Sequence, residues 1–258
     1  MHFTPGFEIT VQSDPMGFSY GPGVYGPAPE LRSLEQIRGS LMDPDSTGPE
    51  YVYCIAMDVA AVADREDLMD RNLLYGVVTY AKGQLGEEPI RSQGHRHAVS
   101  ASCGTSTPEV YEIWEGEACI YMQASGEDDA GCCYAVYGRA GDVIVVPPGW
   151  IHATINACPD KPMTFGAWCV RDYGFDYTDV RRRGGIAFFP LVQEGRLVWI
   201  KNDAYHSGQL IEKDAREHPE LGIESGKPIY QQYREDPDRF RFVTRPQDYL
   251  SVWTKYIP

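Results

Sequence analysis

Between residues 51 and 200 the chain comes in runs of four to nine residues, rich in β-branched and aromatic side chains and stopped by Gly, Pro or Asp. The runs are 51–59, 73–80, 110–114, 118–123, 134–137, 143–146, 163–170, 186–192 and 197–200, with punctuation such as Ser125-Gly126-Glu127-Asp128-Asp129 between them. Runs of this length and composition read as strands. Arranged in series they predict an antiparallel sandwich or barrel. With 258 residues, 43% of them hydrophobic, 26 Gly and 19 Pro, the chain can bury a full core and is rich in turns, which suits one all-β domain with appendages.

The appendages lie at both ends. Residues 1–30 are dominated by Gly, Pro, Tyr and Phe and read as an extended arm laid over the surface, of a kind that packs on a neighbouring subunit. Ser33 then opens a short helix, because it can cap the first turn with Gln36 three residues on, and Leu34, Ile37 and Leu41 share a face. Pro44 ends it. The barrel domain is expected over 31–206. From Ser207 the sequence turns charged and helix-leaning over 209–217, then passes through Tyr- and Arg-rich loops to Trp253 and Tyr256; 207–258 reads as an extension on the barrel or on a partner.

A net charge of −14 repels polyanions, so no nucleic acid and no anionic membrane surface is expected as a partner. The one concentrated basic run, Arg181-Arg182-Arg183, reads as a solvated turn before Gly184-Gly185, with contact to an anionic substrate or a partner as the alternative. No run approaches 18 apolar residues and the first residues lack basic and apolar leader regions, so the expected compartment is the cytoplasm. Seven cysteines without CxxC spacing read as reduced thiols, with Cys119 and Cys133 as small core residues. The adjacent Cys132 and Cys133 could alternatively take a soft metal or a strained disulfide.

Chemistry concentrates in two stretches: Gly94-His95-Arg96-His97 followed by Glu109, and Gly141-x5-Pro147-Pro148-Gly149-Trp150-Ile151-His152-x3-Asn156. In a strand, residues two apart point the same way, so His95 and His97 share one face, as do Glu109, Tyr111 and Ile113. Three of the chain's six histidines sit in these two stretches. Imidazoles and a carboxylate converging inside a barrel are what a metal site of three histidines and one carboxylate needs. Glu112 and Glu115 are rival carboxylates.

This constellation resembles the cupin family, whose motifs read roughly G-x5-H-x-H-x3-4-E-x6-G and G-x5-P-x-G-x2-H-x3-N. The second matches from Gly141 to Asn156; in the first, Pro89 stands for the leading Gly and eleven residues separate His97 from Glu109, so 98–108 reads as a lengthened hairpin loop. The chain is more closely similar to the cupin-type glucose-6-phosphate isomerases, through Leu85-Gly86-Glu87-Glu88, Ser92-Gln93-Gly94-His95-Arg96-His97, Glu109-Val110-Tyr111, the second motif, Gly174-Phe175-Asp176-Tyr177 and Gly184-Gly185-Ile186.

The resemblance implies a double-stranded β-helix (jelly-roll) barrel that binds one divalent metal ion, iron, manganese or zinc, through His95, His97, Glu109 and His152. It also implies an aldose-ketose isomerase of a sugar phosphate, with glucose 6-phosphate and fructose 6-phosphate as the lead pair, and a homodimer. Glu109 would be ligand, general base or both, and Tyr111 and Tyr177 match family tyrosines that orient hydroxyls. Of the family's phosphate contacts, Ser92 and Gly94 are kept in kind. By a gapped count Cys169 and Phe175 replace a Tyr and a His, Gln93 a Lys, and Val77 a Thr, so another sugar, phosphorylated or not, stays open as substrate. A cupin iron-dependent oxygenase and a non-catalytic sugar-binding cupin are the other readings.

Overall fold

The computed structural model describes residues 3–258; the first two residues of the expected arm lie outside these. The runs form two facing sheets. One has six antiparallel strands in the order Val143–Val146, Glu109–Glu115, Met163–Val170, Leu73–Tyr80, Tyr51–Met57 and Glu30–Ser33. The other orders Ile151–Asn156, Glu117–Gln123, Asp129–Arg139 and Ser207–Asp214. Neighbours come from distant parts of the chain, and the result is an all-β cupin barrel.

Alternation along each strand decides which core a side chain joins. Val78, Tyr80, Tyr111, Ile113 and Phe165 point between the sheets and meet Ile120, Met122, Tyr134 and Val136 from the opposite sheet. Their sequence neighbours Tyr75, Val77, Val110, Trp114 and Trp168 point outward, yet they are covered by Phe7 from the N-terminal arm and by Tyr230, Tyr233 and Phe240 from the C-terminal segment. For this reason Leu73–Tyr80 and Met163–Val170 are buried at every position. A strand buried on both faces reads as an unbroken apolar run. The outer face of the four-stranded sheet is closed by the hairpin Phe188–Gln193 and Arg196–Lys201, whose Phe188, Leu197 and Trp199 pack against the cluster of Cys119 and Tyr121.

The appendages differ in part from expectation. The arm contains a hairpin, Ile9–Ser13 with Met16–Tyr20, and packs on its own chain, with the Phe7 ring 4.8 Å from that of Tyr230. The helix-leaning reading of 209–217 is corrected: Ser207–Asp214 is a strand, parallel to Asp129–Arg139, with Leu210 opposite Cys133. Glu212 and Asp214 face solvent on this edge strand, and charge on an edge discourages pairing with another chain. α-Helices follow at Ile229–Glu235, Arg241–Thr244 and Leu250–Trp253, with 3₁₀ turns at Pro219–Leu221 and Pro246–Tyr249. The helix opens at Ser33 as expected, with a reciprocal cap between Ser33 and Gln36, but it is shorter than expected: Leu34–Ile37 passes into a 3₁₀ turn, Arg38–Ser40, and Leu41 is already extended before Pro44.

All seven cysteines are free thiols; Cys119 and Cys133 are fully buried and Cys132 is exposed. Arg182 and Arg183 lie at the end of the helix Thr178–Arg182 and pair with Asp179 at 3.1 Å and Asp128 at 2.8 Å. Among the described residues no helix is long and apolar enough to cross a membrane.

Candidate metal centre and active site

Residues 90–95 run antiparallel beside Ile151–Asn156. Asn156 N donates to Ile90 O at 2.9 Å, Ser92 N to Thr154 O at 2.9 Å, and His95 and His152 exchange both backbone bonds at 3.0 and 2.8 Å. From Ser92 to His95 is three steps, whereas from Thr154 to His152 is two, so the first strand carries one extra residue. This is a β-bulge, and such bulges re-aim side chains. Gly94 makes it possible: its φ is +89°, and a Cβ there would sit 2.8 Å from Ile186 Cγ2. The bulge turns His95 toward His152, with ring centroids 4.4 Å apart.

The segment is anchored by a buried ion pair. Arg91 Nε lies 2.6 Å from Glu88 Oε2, with side chains 0% and 3% exposed. Arg91 also donates to Ser40 O at 2.6 Å and Ser92 O at 2.9 Å, while Glu88 Oε1 accepts from Met42 N at 2.6 Å. Every charge-bearing atom therefore has partners, as a buried pair requires.

His97 ends a two-residue strand, Arg96–His97, paired with Phe175–Asp176. The 98–108 loop folds back on itself, and Ser106 Oγ donates to His97 O at 2.8 Å and accepts from Gly149 N at 3.1 Å. That hydroxyl joins the two motifs. Glu109 begins its strand opposite Val146 and faces the histidines. The rivals stay away: Glu115 is exposed, and Glu112 points to the outer core, where Ile229 N donates to it at 2.8 Å.

His97 Nδ1 is 2.9 Å from Thr107 O, and His152 Nδ1 is 3.3 Å from Trp150 O. A carbonyl can only accept, so each Nδ1 carries the hydrogen and each Nε2 of a neutral ring presents a lone pair. Those Nε2 atoms face Glu109 Oε2 at 3.1 and 3.2 Å. His95 Nε2 is buried without a hydrogen-bond partner among the described residues. Burial, then the neighbouring imidazoles, holds the His95 pKa well below its ordinary value, and burial lowers that of His152. Burial alone would raise the Glu109 carboxyl, but the contacts with His152 and His97 outweigh it and hold it well below the usual carboxylate range. One ligand atom from each of the four residues lies within 4.8 Å of the others. Nitrogen lone pairs and a carboxylate converging this way fit a divalent cation of the iron, manganese or zinc type.

Three of the four, His95, His97 and Glu109, line a cleft. Tyr111 donates to Glu109 Oε2 at 2.9 Å, and burial, reinforced by the Glu109 charge, pushes its phenol well above the ordinary value. Tyr177 lies on the cleft wall with its ring 5.8 Å from that of His95. Ser92 also lines the cleft, its Oγ accepting from Thr154 N at 3.0 Å. Gln93, Cys169 and Phe175 line it too, and the Phe175 ring packs 4.5 Å from His95. Val77 does not: it belongs to the outer core with Trp168, and its neighbours Gly76 and Val78 face the cleft. Strand alternation moves a count that is off by one residue to the wrong face. Arg32, Tyr53, Tyr80 and Thr154 complete the walls without having been singled out in the sequence. Thr154 was available, standing two residues after His152, and Tyr80 shares a face with Val78. Arg32 reaches the site only through the pairing of its edge strand with Tyr53.

The glucose-6-phosphate isomerase of Thermococcus litoralis is 27% identical over 179 residues, 67% of this chain and 85% of that one. The enzyme of the same name from Pyrococcus furiosus is 30% identical over 164 residues, 62% of this chain and 80% of that one. A cupin superfamily protein of Desulfitobacterium hafniense superposes over 38% of this chain and 66% of its own with 15% identity and a TM-score of 0.26. The profile of the family described as Glucose-6-phosphate isomerase (GPI) matches residues 40–207, which take in both motifs and most of the two sheets, and the chain belongs to that family.

Proposed function

We propose that this protein is a metal-dependent aldose-ketose isomerase acting on a sugar phosphate, with glucose 6-phosphate and fructose 6-phosphate as the pair it interconverts. The observation that carries this reading is the convergence of His95, His97, Glu109 and His152, three of which line a cleft, in a chain of the glucose-6-phosphate isomerase family. A divalent ion held by those four side chains would act as a Lewis acid toward the sugar's C1 and C2 oxygens.

The chain's own groups supply the rest. Glu109 Oε2 takes the contacts with His97, His152 and Tyr111, which leaves Oε1 without a hydrogen-bond partner among the described residues. That second oxygen would take a proton from one of the two carbons and return it to the other, while the hydroxyl proton passes between O2 and O1. Tyr111, kept protonated by burial, donates to Glu109 and fixes its orientation. Tyr177 and Ser92 offer hydroxyls to the sugar, and Phe165 and Phe175 keep bulk water from the floor.

The test is incubation of purified protein with fructose 6-phosphate, with and without a chelator. Conversion to glucose 6-phosphate, lost on chelation and restored by adding back metal, is expected. Failure to interconvert any phosphorylated hexose in a chelator-sensitive way would overturn the reading.

A further inference from the structure

We propose that Arg32 is the residue that grips the charged group of the substrate and so makes this cleft prefer phosphorylated over neutral sugars. The sugar part of this statement rests on the isomerase reading; the anion part does not.

Arg32 lies on the edge strand Glu30–Ser33, directly across from Tyr53, with its Cζ 6.0 Å from the Tyr53 ring centroid, and it lines the cleft. Among the described residues it is the one Lys or Arg that does so. It is half-buried, and it has no carboxylate within salt-bridge distance among the described residues. Nearby arginines do: Arg38 has Glu35, Arg96 and Arg182 have Asp179, and Arg171 has Asp58. In a chain with 37 acidic and 23 basic residues, a half-buried arginine left without an acid stands out. The one carboxylate of the cleft, Glu109, is turned to the histidines.

A partly desolvated guanidinium is costly unless an anion meets it, and its planar fork of donors matches phosphoryl oxygens. Tyr53 stands beside it as a second donor, because burial pushes its phenol up to about 12 and keeps it protonated. Arg181 is the rival cation near the mouth. It is stacked 4.7 Å over the Tyr177 ring and donates to Gln93 Oε1 at 3.4 Å, and it does not line the cleft.

The experiment is calorimetric binding of sorbitol 6-phosphate and of sorbitol, neither of which can be isomerised, to the metal-loaded full chain and to Arg32→Gln, Arg32→Lys and Arg181→Gln. The wild type is expected to prefer the phosphorylated ligand. Arg32→Gln should weaken its binding by about tenfold or more, with sorbitol unaffected. Arg32→Lys should recover part of the loss, and Arg181→Gln should stay within about twofold. In turnover, the KM for fructose 6-phosphate should rise in Arg32→Gln far more than kcat falls. Thermal melting of each variant controls for folding. A wild type that does not distinguish the two ligands, an Arg32→Gln protein that binds like wild type, or a loss confined to Arg181→Gln would overturn the proposal. A chain that isomerises nothing yet loses phosphate preference with Arg32→Gln would support Arg32 as the anion grip and sink the isomerase reading alone.

Discussion

Replacing Gly94 by Ala should damage both the fold and the metal centre, by amounts that can be worked from the bulge. The residue's φ of +89° lies where an L side chain costs about 1–2 kcal/mol. The new methyl would stand 2.8 Å from Ile186 Cγ2 and 3.6 Å from Ala153 Cβ. Ile186 is fully buried and has nowhere easy to go, so overpacking adds about 1–3 kcal/mol. The total is roughly 2–5 kcal/mol, measured by urea denaturation of chelated protein. A second substitution separates the two terms. Ile186→Ala is destabilising alone, but in its background Gly94→Ala should cost only the backbone part, so a double-mutant cycle should show coupling of about 1–3 kcal/mol. Because the bulge aims His95, the single variant should also bind Mn²⁺ or Zn²⁺ at least about tenfold more weakly. A Gly94→Ala protein within about 0.5 kcal/mol of wild type, or a cycle without coupling, would refute the bulge as the reason for glycine.

Three further outcomes follow from the buried charges. Arg91→Met, which strands the Glu88 carboxylate among backbone donors, should cost about 3–5 kcal/mol in denaturant, whereas the double replacement Arg91→Met with Glu88→Gln should recover much of it; equal losses would contradict the pairing. Burial, against the hydrogen bonds from Ile229, Trp114 and Tyr75, pushes the Glu112 carboxyl up to about 8 from 4.5. The folded chain then holds one more proton than the unfolded chain between those values, so stability should fall as pH rises from about 4.5 through about 8. Glu112→Gln should flatten that slope, and an unchanged pH profile of unfolding would show that Glu112 is already ionised. Added Mn²⁺ or Zn²⁺ at about a hundred times its Kd should raise the wild-type Tm by roughly 5–10 °C and leave His152→Ala unmoved; an equal rise in the variant would place the metal elsewhere.

The barrel and the four converging side chains were legible because both are written in short-range spacing. His95 and His97 two apart, the Pro147-Pro148-Gly149 turn and His152 need no knowledge of distant contacts. What the sequence hid is non-local. Ser207–Asp214 carries Leu210 and Ile211 on opposite faces and charges at Glu212, Lys213 and Asp214, so it shows neither clean alternation nor a continuous apolar run; its strand character comes from pairing with Asp129–Arg139. The arm's packing depends on Phe7 meeting Tyr230 from the other end of the chain. Val77 was misplaced because a one-residue error exchanges the two faces of a strand. Arg32 lies in no motif, and its place on the cleft wall emerges only from the register that sets it against Tyr53.

The meeting of the two chain ends on one face of the six-stranded sheet has a consequence for synthesis. Tyr75, Trp114 and Trp168 lie on strands that leave the ribosome well before their cover, Tyr230, Tyr233 and Phe240, does. A nascent chain of the first 228 residues therefore holds every described strand, yet exposes an aromatic surface suited to unwanted association. Emergence of the segment from Ile229 through Phe240 is in effect the step that covers this surface, and ribosome-stalled chains should bind chaperones until it occurs.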